Sequence, residues 1–418
     1  MLPAEVDLLV VGAGTAGAAT AMFAAARGLR TLCLDRRPLD QAGARWVNGV
    51  TRTALAEAGV HLPGATEAPS RFHLVAGAQR VTVDRHDVVD LDMRALVGHL
   101  HARATAAGAQ LVGEVAVRGR AGGEVTTSAG PVRARWIVDA SGLAGAGLLA
   151  APPVAAAHLC AAAQAVYEIA DRHGAAAFAA AGGVPWGEVA AEVGVAGGYS
   201  VRNVRIDADG ATVAVLTGSI PAAGVPSGKA ILDEFVRAHR WIGPRVFGGS
   251  GAIPLRRPRD VLTDGTVALV GDTGCQVFPA HGSGIGAGLG AARLLVDALA
   301  AGGTPFDYEL AWHRRWGGLF AAYDAVRRWN QRLTGADVER LMAAGLVDAD
   351  LARAGLDQVM PTLTPRALVD KAAAARHAPS MLALGARVAA ALALGSRCPP
   401  RGRRRAAWSA AMQRLLPV

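Results

Sequence analysis

Asp7-Leu8-Leu9-Val10-Val11-Gly12-Ala13-Gly14-Thr15-Ala16-Gly17 sets an apolar run against a Gly-x-Gly-x-x-Gly turn, and a small-residue segment from Ala18 to Ala26 follows. The order predicts strand, tight turn, helix. The first glycine permits the turn, the second lets backbone approach a pyrophosphate, and the third lets the helix lie against the strand. The helix N-terminus then offers unpaired N–H groups and a partial positive charge to phosphate. The next apolar run, Thr31-Leu32-Cys33-Leu34, ends at Asp35, 18 residues beyond Gly17. That is close to the spacing of a carboxylate that accepts hydrogen bonds from ribose hydroxyls. Gly12, Gly14, Gly17 and Asp35 are therefore expected to hold a dinucleotide.

A second glycine motif lies about 260 residues away: Gly271-Asp272 follows Val267-Ala268-Leu269-Val270 and leads into Pro279, Gly282, Gly284 and Gly286. Arg36 and Arg37 would suit the 2′-phosphate of NADP. A simple NAD(P) domain, however, has no need of the second motif. The pair reads as two contact points on one FAD.

The string Gly271-Asp272-Thr273-Gly274-Cys275, with Pro279, Gly282, Gly284 and Ile285 following, resembles the GD-(x)6-P-x-x-G-x-G pattern of the p-hydroxybenzoate hydroxylase and geranylgeranyl reductase group of flavoproteins. Val138-Asp139-Ala140-Ser141-Gly142 resembles the group's middle motif. Ala252-Ile253-Pro254-Leu255 resembles its lead into the GD strand. The resemblance covers about residues 5–300. It implies an α/β fold of the glutathione-reductase type: a Rossmann-type FAD-binding domain interleaved with a mixed or antiparallel substrate-domain sheet, plus a helical C-terminal part. It implies FAD held non-covalently by Gly12, Gly14, Gly17, Asp35, Arg36, Arg94, Gly271, Asp272, Pro279, Gly282, Gly284 and Ile285. Asp272 would take the ribityl chain, and NAD(P)H is a candidate transient electron donor.

The departures narrow the chemistry. Hydroxylases of the group often carry histidine where Cys275 stands and asparagine where Gly286 stands. Residues 1–228 contain no lysine, whereas the related halogenases need an active-site lysine early in the chain. Gly43-Ala44-Arg45-Trp46-Val47-Asn48-Gly49 replaces the cysteine-bearing loop of geranylgeranyl reductases. Arg45 and Asn48 are candidate catalytic contacts in that loop, with packing of Trp46 as the plainer reading. His281, in Phe278-Pro279-Ala280-His281-Gly282, is the candidate for proton transfer beside the flavin. A structural histidine bonded to backbone is the alternative. Cys275 reads as a buried structural thiol, and no metal-ligand pattern is present.

The resemblance places FAD-binding segments at 1–71, 91–151 and 257–303, a substrate domain at 72–90 and 152–256, and helices at 304–418. Within these, 43–64 reads as loop then helix, and 72–90 as strands of the second sheet. A helix is expected over 92–107 with Asp92 as its N-cap, and helices over 158–182. Strands at 199–206 and 212–220 should meet at the hairpin turn 207–210, and a helix should cover 227–239. At period two, Tyr199, Val201, Asn203 and Arg205 share one face, and Ser200 and Arg202 the other. Either face could roof the flavin. The apolar segment 381–394 reads as a core helix, with a lid or membrane contact as the alternative.

The chain has 418 residues, 52% hydrophobic and 18% charged, which suits a large core and excludes disorder. Net charge is +9, and only Lys229 and Lys371 of the 43 basic residues are lysine. No zinc, RNA-binding or helix-turn-helix pattern accompanies that charge, so nucleic acid is not an expected partner. Arg401, Arg403, Arg404 and Arg405 read as a solvated tail, or as a peripheral membrane or carrier-protein contact. Cys33, Cys160, Cys275 and Cys398 form no CxxC, which suits reduced thiols in the cytoplasm. No charged n-region and no long apolar run predicts a signal peptide or a membrane span.

These features lead us to expect an FAD-dependent oxidoreductase. It would transfer hydride through flavin N5 to or from a lipophilic small-molecule metabolite, as a dehydrogenase or double-bond reductase. An NAD(P)H-dependent monooxygenase is the alternative, and a non-enzymatic flavin-binding redox protein the third.

Overall fold

The run Glu5–Val11 becomes the middle of a parallel sheet because it is apolar on both sides. Leu8 and Val10 turn to one face, Leu9 and Val11 to the other, and Leu8, Leu9 and Val10 are wholly buried. In the computed structural model, which describes residues 1–62, 71–362, 364–375 and 379–418, this strand lies between Thr31–Leu34 and Gly130–Asp139, parallel to both. Gln110–Val112 extends the sheet beyond Thr31–Leu34, and Val267–Leu269 pairs with the end of Gly130–Asp139. Two antiparallel strands, Glu124–Thr127 and Val117–Ala121, complete the seven.

Helices Thr15–Ala26, Met93–Ala106 and Ile285–Ala300 cover the Leu8 face. The first and last of these pack closely because Gly271 and Gly288 are bare where Ala16 approaches: an added Cβ would stand 3.1 and 3.3 Å from the Ala16 methyl. Asp92 caps Met93–Ala106 as expected, accepting from the Arg94 N–H at 2.8 Å.

A second seven-stranded sheet runs in the order Ile242–Pro254, Leu159–Ile169, Thr212–Ser219, Ser200–Ile206, Val189–Val193, Phe72–Ala76, Gln79–Val83. Helices Arg172–Gly182 and Gly228–Ala238 cover its back through Ala175, Leu232 and Phe235. The hairpin closes at Asp207, whose carbonyl accepts from the Gly210 N–H at 2.8 Å.

Two expectations fail here. Leu159–Ile169, alanine-rich and expected to be helical, is an eleven-residue strand inside this sheet. Pairing with strands on both sides outweighs the helix preference of alanine, which amounts to less than about 1 kcal/mol per residue. Val88–Asp92 does not join the second sheet. It pairs with Val47–Thr51 as a separate ribbon, and that loop therefore carries a strand before its helix Arg52–Ala58.

The C-terminal part is helical, but two surfaces differ from expectation. Helix Pro379–Ser396 is not enclosed: it packs against helix Gly318–Asn330 through the crossing of Gly395 with Gly318, while Leu382 stays 59% exposed. The arginine cluster is not wholly a solvated tail. Arg401 and Arg405 both reach the buried Glu309 carboxylate, at 3.1 Å; Arg405 is buried there, while Arg401, Arg403 and Arg404 stay exposed. No helix among the described residues is long and apolar enough to cross a membrane.

Candidate active site

The Gly-x-Gly-x-x-Gly turn is built by three close approaches. Gly12 has φ +100° and lies against the Ala140 carbonyl; Gly17 lies against the Gly12 carbonyl; a Cβ on Gly14 would stand 3.2 Å from Gly43. His101 braces the turn from outside, its Nε2 2.7 Å from the Ala13 carbonyl oxygen. Helix Thr15–Ala26 has no side-chain cap and no acid in its first turn, so its N–H groups face open space. Helix Ile285–Ala300 starts the same way at Gly284.

Both helix starts line one cavity of about 380 Å³ between the two sheets. It gathers Gly12, Gly14, Asp35, Asn48, Gly271, Asp272, His281, Gly282, Gly284 and Ile285 from the expected site residues. Five others lie outside it. Gly17 and Pro279 are held behind the two turns. Arg36 is exposed, and its neighbour Arg37 lines the cavity instead. Arg45 is exposed, while Trp46 of the same loop lines the cavity and packs on the bare backbone of Gly249, where a Cβ would meet its ring at 2.9 Å. Arg94 is turned away, paired with Asp92 at 2.8 Å and stacked over Phe247 at 5.1 Å.

The two expected carboxylates differ. Asp35 accepts from the Ala13 and Arg37 N–H groups, both at 2.9 Å, and so ties the turn to the end of its own strand. Asp272 accepts no hydrogen bond from the described residues; its side chain faces the cavity, and burial pushes its pKa up to about 6. A buried carboxylate without donors is costly unless a ligand supplies them. Ribityl hydroxyls would do so, and the uncapped helix starts would meet the pyrophosphate. The bare turns, Asp272 and the helix starts thus fit FAD.

Cys275 takes φ +53°, is fully buried, and burial raises its thiol pKa. Gly286 has a packing reason: a Cβ there would stand 2.7 Å from the Ala54 methyl, so an asparagine side chain has no room. Asp139 of the middle motif organises its own loop, accepting from the Ser141 and Ala146 N–H groups at 3.1 and 3.0 Å.

A smaller cavity of about 200 Å³ adjoins the first, and Asn48, Gln164, Leu216 and His281 line both. His281 is exposed to the two spaces, and the protein packed around its ring pushes its pKa down to about 4. It is therefore neutral near pH 7, with Nε2 3.1 Å from the Gly355 carbonyl oxygen as donor and Nδ1 keeping a lone pair. Any proton movement through His281 has to start from the neutral ring.

Of the two faces of Ser200–Ile206, the one bearing Val201, Asn203 and Arg205 meets the cavities. Arg202 points to the back, over the Phe235 ring at 4.7 Å. Sequence reasoning missed Gln164, Leu216 and His101. The one available signal was a lone glutamine in an apolar run.

No protein-family model matches the chain. Over 375 residues it is 26% identical to digeranylgeranylglycerophospholipid reductase 1 of Methanopyrus kandleri, covering 81% of this chain and 93% of that protein. Its fold matches a geranylgeranyl bacteriochlorophyll reductase-like protein from Thermoplasma acidophilum with a TM-score of 0.70, at 18% identity, over 90% of this chain and 99% of the other. A probable FAD-dependent monooxygenase from Pseudomonas aeruginosa shares the fold at a TM-score of 0.56 and 13% identity, over 84% and 99% of the two chains. With a relative aligned along most of both chains and a cavity that fits the cofactor, the chain is similar to FAD-dependent oxidoreductases of the p-hydroxybenzoate hydroxylase and geranylgeranyl reductase group.

Proposed function

We propose that the protein reduces a carbon–carbon double bond in a lipophilic metabolite. The observation that carries this reading is the smaller cavity. Val47, Phe72, Val88, Val89, Val189 and Leu356 give it apolar walls, and it opens onto the larger cavity at His281 and Gln164. An apolar chain would leave water on entering it, at about 25 cal/mol per Å² of apolar surface. The reductase name of the Methanopyrus kandleri relative supports the same chemistry.

Bound FAD, once reduced by a two-electron donor such as NAD(P)H or by dithionite, would supply a hydride at its N5. The chain's own residues bind and orient. The glycine turns admit the phosphates, Asp272 takes ribityl hydroxyls, and the valine and leucine walls exclude water from the alkene. Hydride addition to one alkene carbon requires a proton at the other. His281 borders the place where the two cavities meet, and its Nδ1 lone pair would hold a water or substrate hydroxyl there.

The test is product mass. Protein loaded with FAD, reduced with dithionite and kept anaerobic, is given geraniol and, separately, digeranylgeranylglycerophospholipid. The expected product gains two hydrogens per reduced bond. A product that gains one oxygen under air with NAD(P)H would assign the monooxygenase reaction instead. No product under either condition would remove the proposal.

A further inference from the structure

The sheet that roofs the cavities changes character row by row. One row across its strands is Gly251, Ala162, Gly218 and Val201, all small, and all line the larger cavity. The next row is Gly249, Gln164, Leu216 and Asn203. Gln164 and Leu216 of that row line both cavities, and Asn203 lines the smaller. The row beyond carries Ala214 and Arg205, which line the smaller cavity alone.

Gln164 is 9% exposed, and its Oε1 is buried without a hydrogen-bond partner. An orphaned amide oxygen of this kind is costly unless a ligand pairs with it. It sits in the middle of a strand paired on both sides, so it cannot swing out to water. Arg205, the one guanidinium among the described residues of the smaller cavity, is already paired with Asp90 and stands 3.5 Å from Asp207. The junction therefore offers an amide and no free cation, which suits a neutral polar group better than a phosphate or carboxylate. Turning the amide over would present N–H donors at the same place. A hydroxyl satisfies either orientation, because it both donates and accepts.

We propose that Gln164 is a positioning residue that pairs with a hydroxyl of the substrate where the two cavities meet, so that the protein selects unsaturated lipophilic alcohols. The assignment rests on the reductase reading for the substrate's apolar part, and on the unpaired amide for its hydroxyl. The hydroxyl anchors one end of the chain, and the apolar walls take the rest.

Two probes that differ only in the hydroxyl separate this from other roles: geraniol and 2,6-dimethylocta-2,6-diene. Their affinities for the FAD-loaded protein are measured by calorimetry, in wild type and in Gln164→Leu. The ratio of alcohol to hydrocarbon affinity should fall about 3- to 10-fold in the variant, the size of one neutral hydrogen bond. Hydrocarbon affinity and FAD affinity should stay within about twofold. Gln164→Met serves the same comparison if the leucine variant does not fold.

An unchanged ratio, an equal loss for both probes, or failure of wild type to bind geraniol would overturn the proposal. A drop in FAD affinity would assign the amide to the cofactor and overturn it too. The two readings fail separately. A changed ratio without alkene reduction removes the reductase reading and keeps the alcohol site, while reduction with an unchanged ratio removes the alcohol site alone.

Discussion

Asp272 shows how much one side chain can carry. Its carboxylate lacks protein donors, and burial raises its pKa to about 6. Ribityl hydroxyls donate to the ionised form and favour it, so the pKa in the FAD complex must lie below that of the free protein. The sign follows: FAD affinity is full above pH 6 and declines as pH falls below it. Titrating apoprotein with FAD at pH 8 and pH 5 should show this loss, and Asp272→Asn should flatten it. Asp272→Ala should weaken FAD roughly 10- to 150-fold, for a charged hydrogen bond of about 1.5–3 kcal/mol. Equal affinity in wild type and Asp272→Ala would place the carboxylate outside the cofactor's reach. Asp35 should respond differently. Its oxygens already hold the Ala13 and Arg37 N–H groups, so it shapes the turn as well as facing the ligand. The motif spacing announced both residues; only the fold showed that one is braced and the other bare.

At the scale of elements, the close crossings depend on missing side chains. Helix Ile285–Ala300 meets helix Arg52–Ala58 at Gly286, 2.7 Å from the Ala54 methyl once a Cβ is added. Gly286→Asn, the residue that hydroxylases of the group often carry, should cost about 1–3 kcal/mol through overpacking. The thermal midpoint should drop, and Ala54→Gly should restore part of the loss. An unshifted midpoint would show that the helices separate without penalty. The strands and helices with strong local signals were legible: an apolar run before a glycine turn, an aspartate before a helix, an Asp-Ala-Asp-Gly hairpin. Leu159–Ile169 was not legible, because alanine spacing carries no period-two pattern and its partners lie more than 40 residues away. That miss concealed Gln164. A helix over the same residues would have given it no fixed place beside the cavity.

Over the whole molecule, the relation of the two sheets rests on a buried charge cluster where the chain crosses between them. Asp324 accepts from Arg327 at 2.6 Å, from the Arg257 N–H at 3.0 Å and from Arg328 at 3.1 Å, while Arg327 reaches His158 Nδ1 at 3.0 Å. Burial by itself opposes the charge on Asp324, yet Arg327 and Arg328 hold its carboxyl below the usual range. Arg257 also binds the Leu416 carbonyl at 2.9 Å, so the C-terminal helices are joined to both crossings. Asp324→Asn would leave buried guanidinium groups undercompensated, at about 3–5 kcal/mol. The FAD-loaded protein should melt well below wild type, and an unchanged melt would mean that the sheets are held together elsewhere. None of this cluster stood out in the sequence, since its members come from four distant segments. By itself the sequence determined the two glycine turns and the resemblance to FAD-dependent oxidoreductases that they carry. Phosphate and ribityl contacts need bare backbone, helix starts and an acid at short fixed spacings, and short spacings can be read. Tertiary structure alone decided that Arg37 and not Arg36 lines the cavity, that Arg45 and Arg94 turn away, and that Gln164 and His281 meet between the two sheets. Those placements depend on strand register and on pairing between distant segments, which no local pattern encodes.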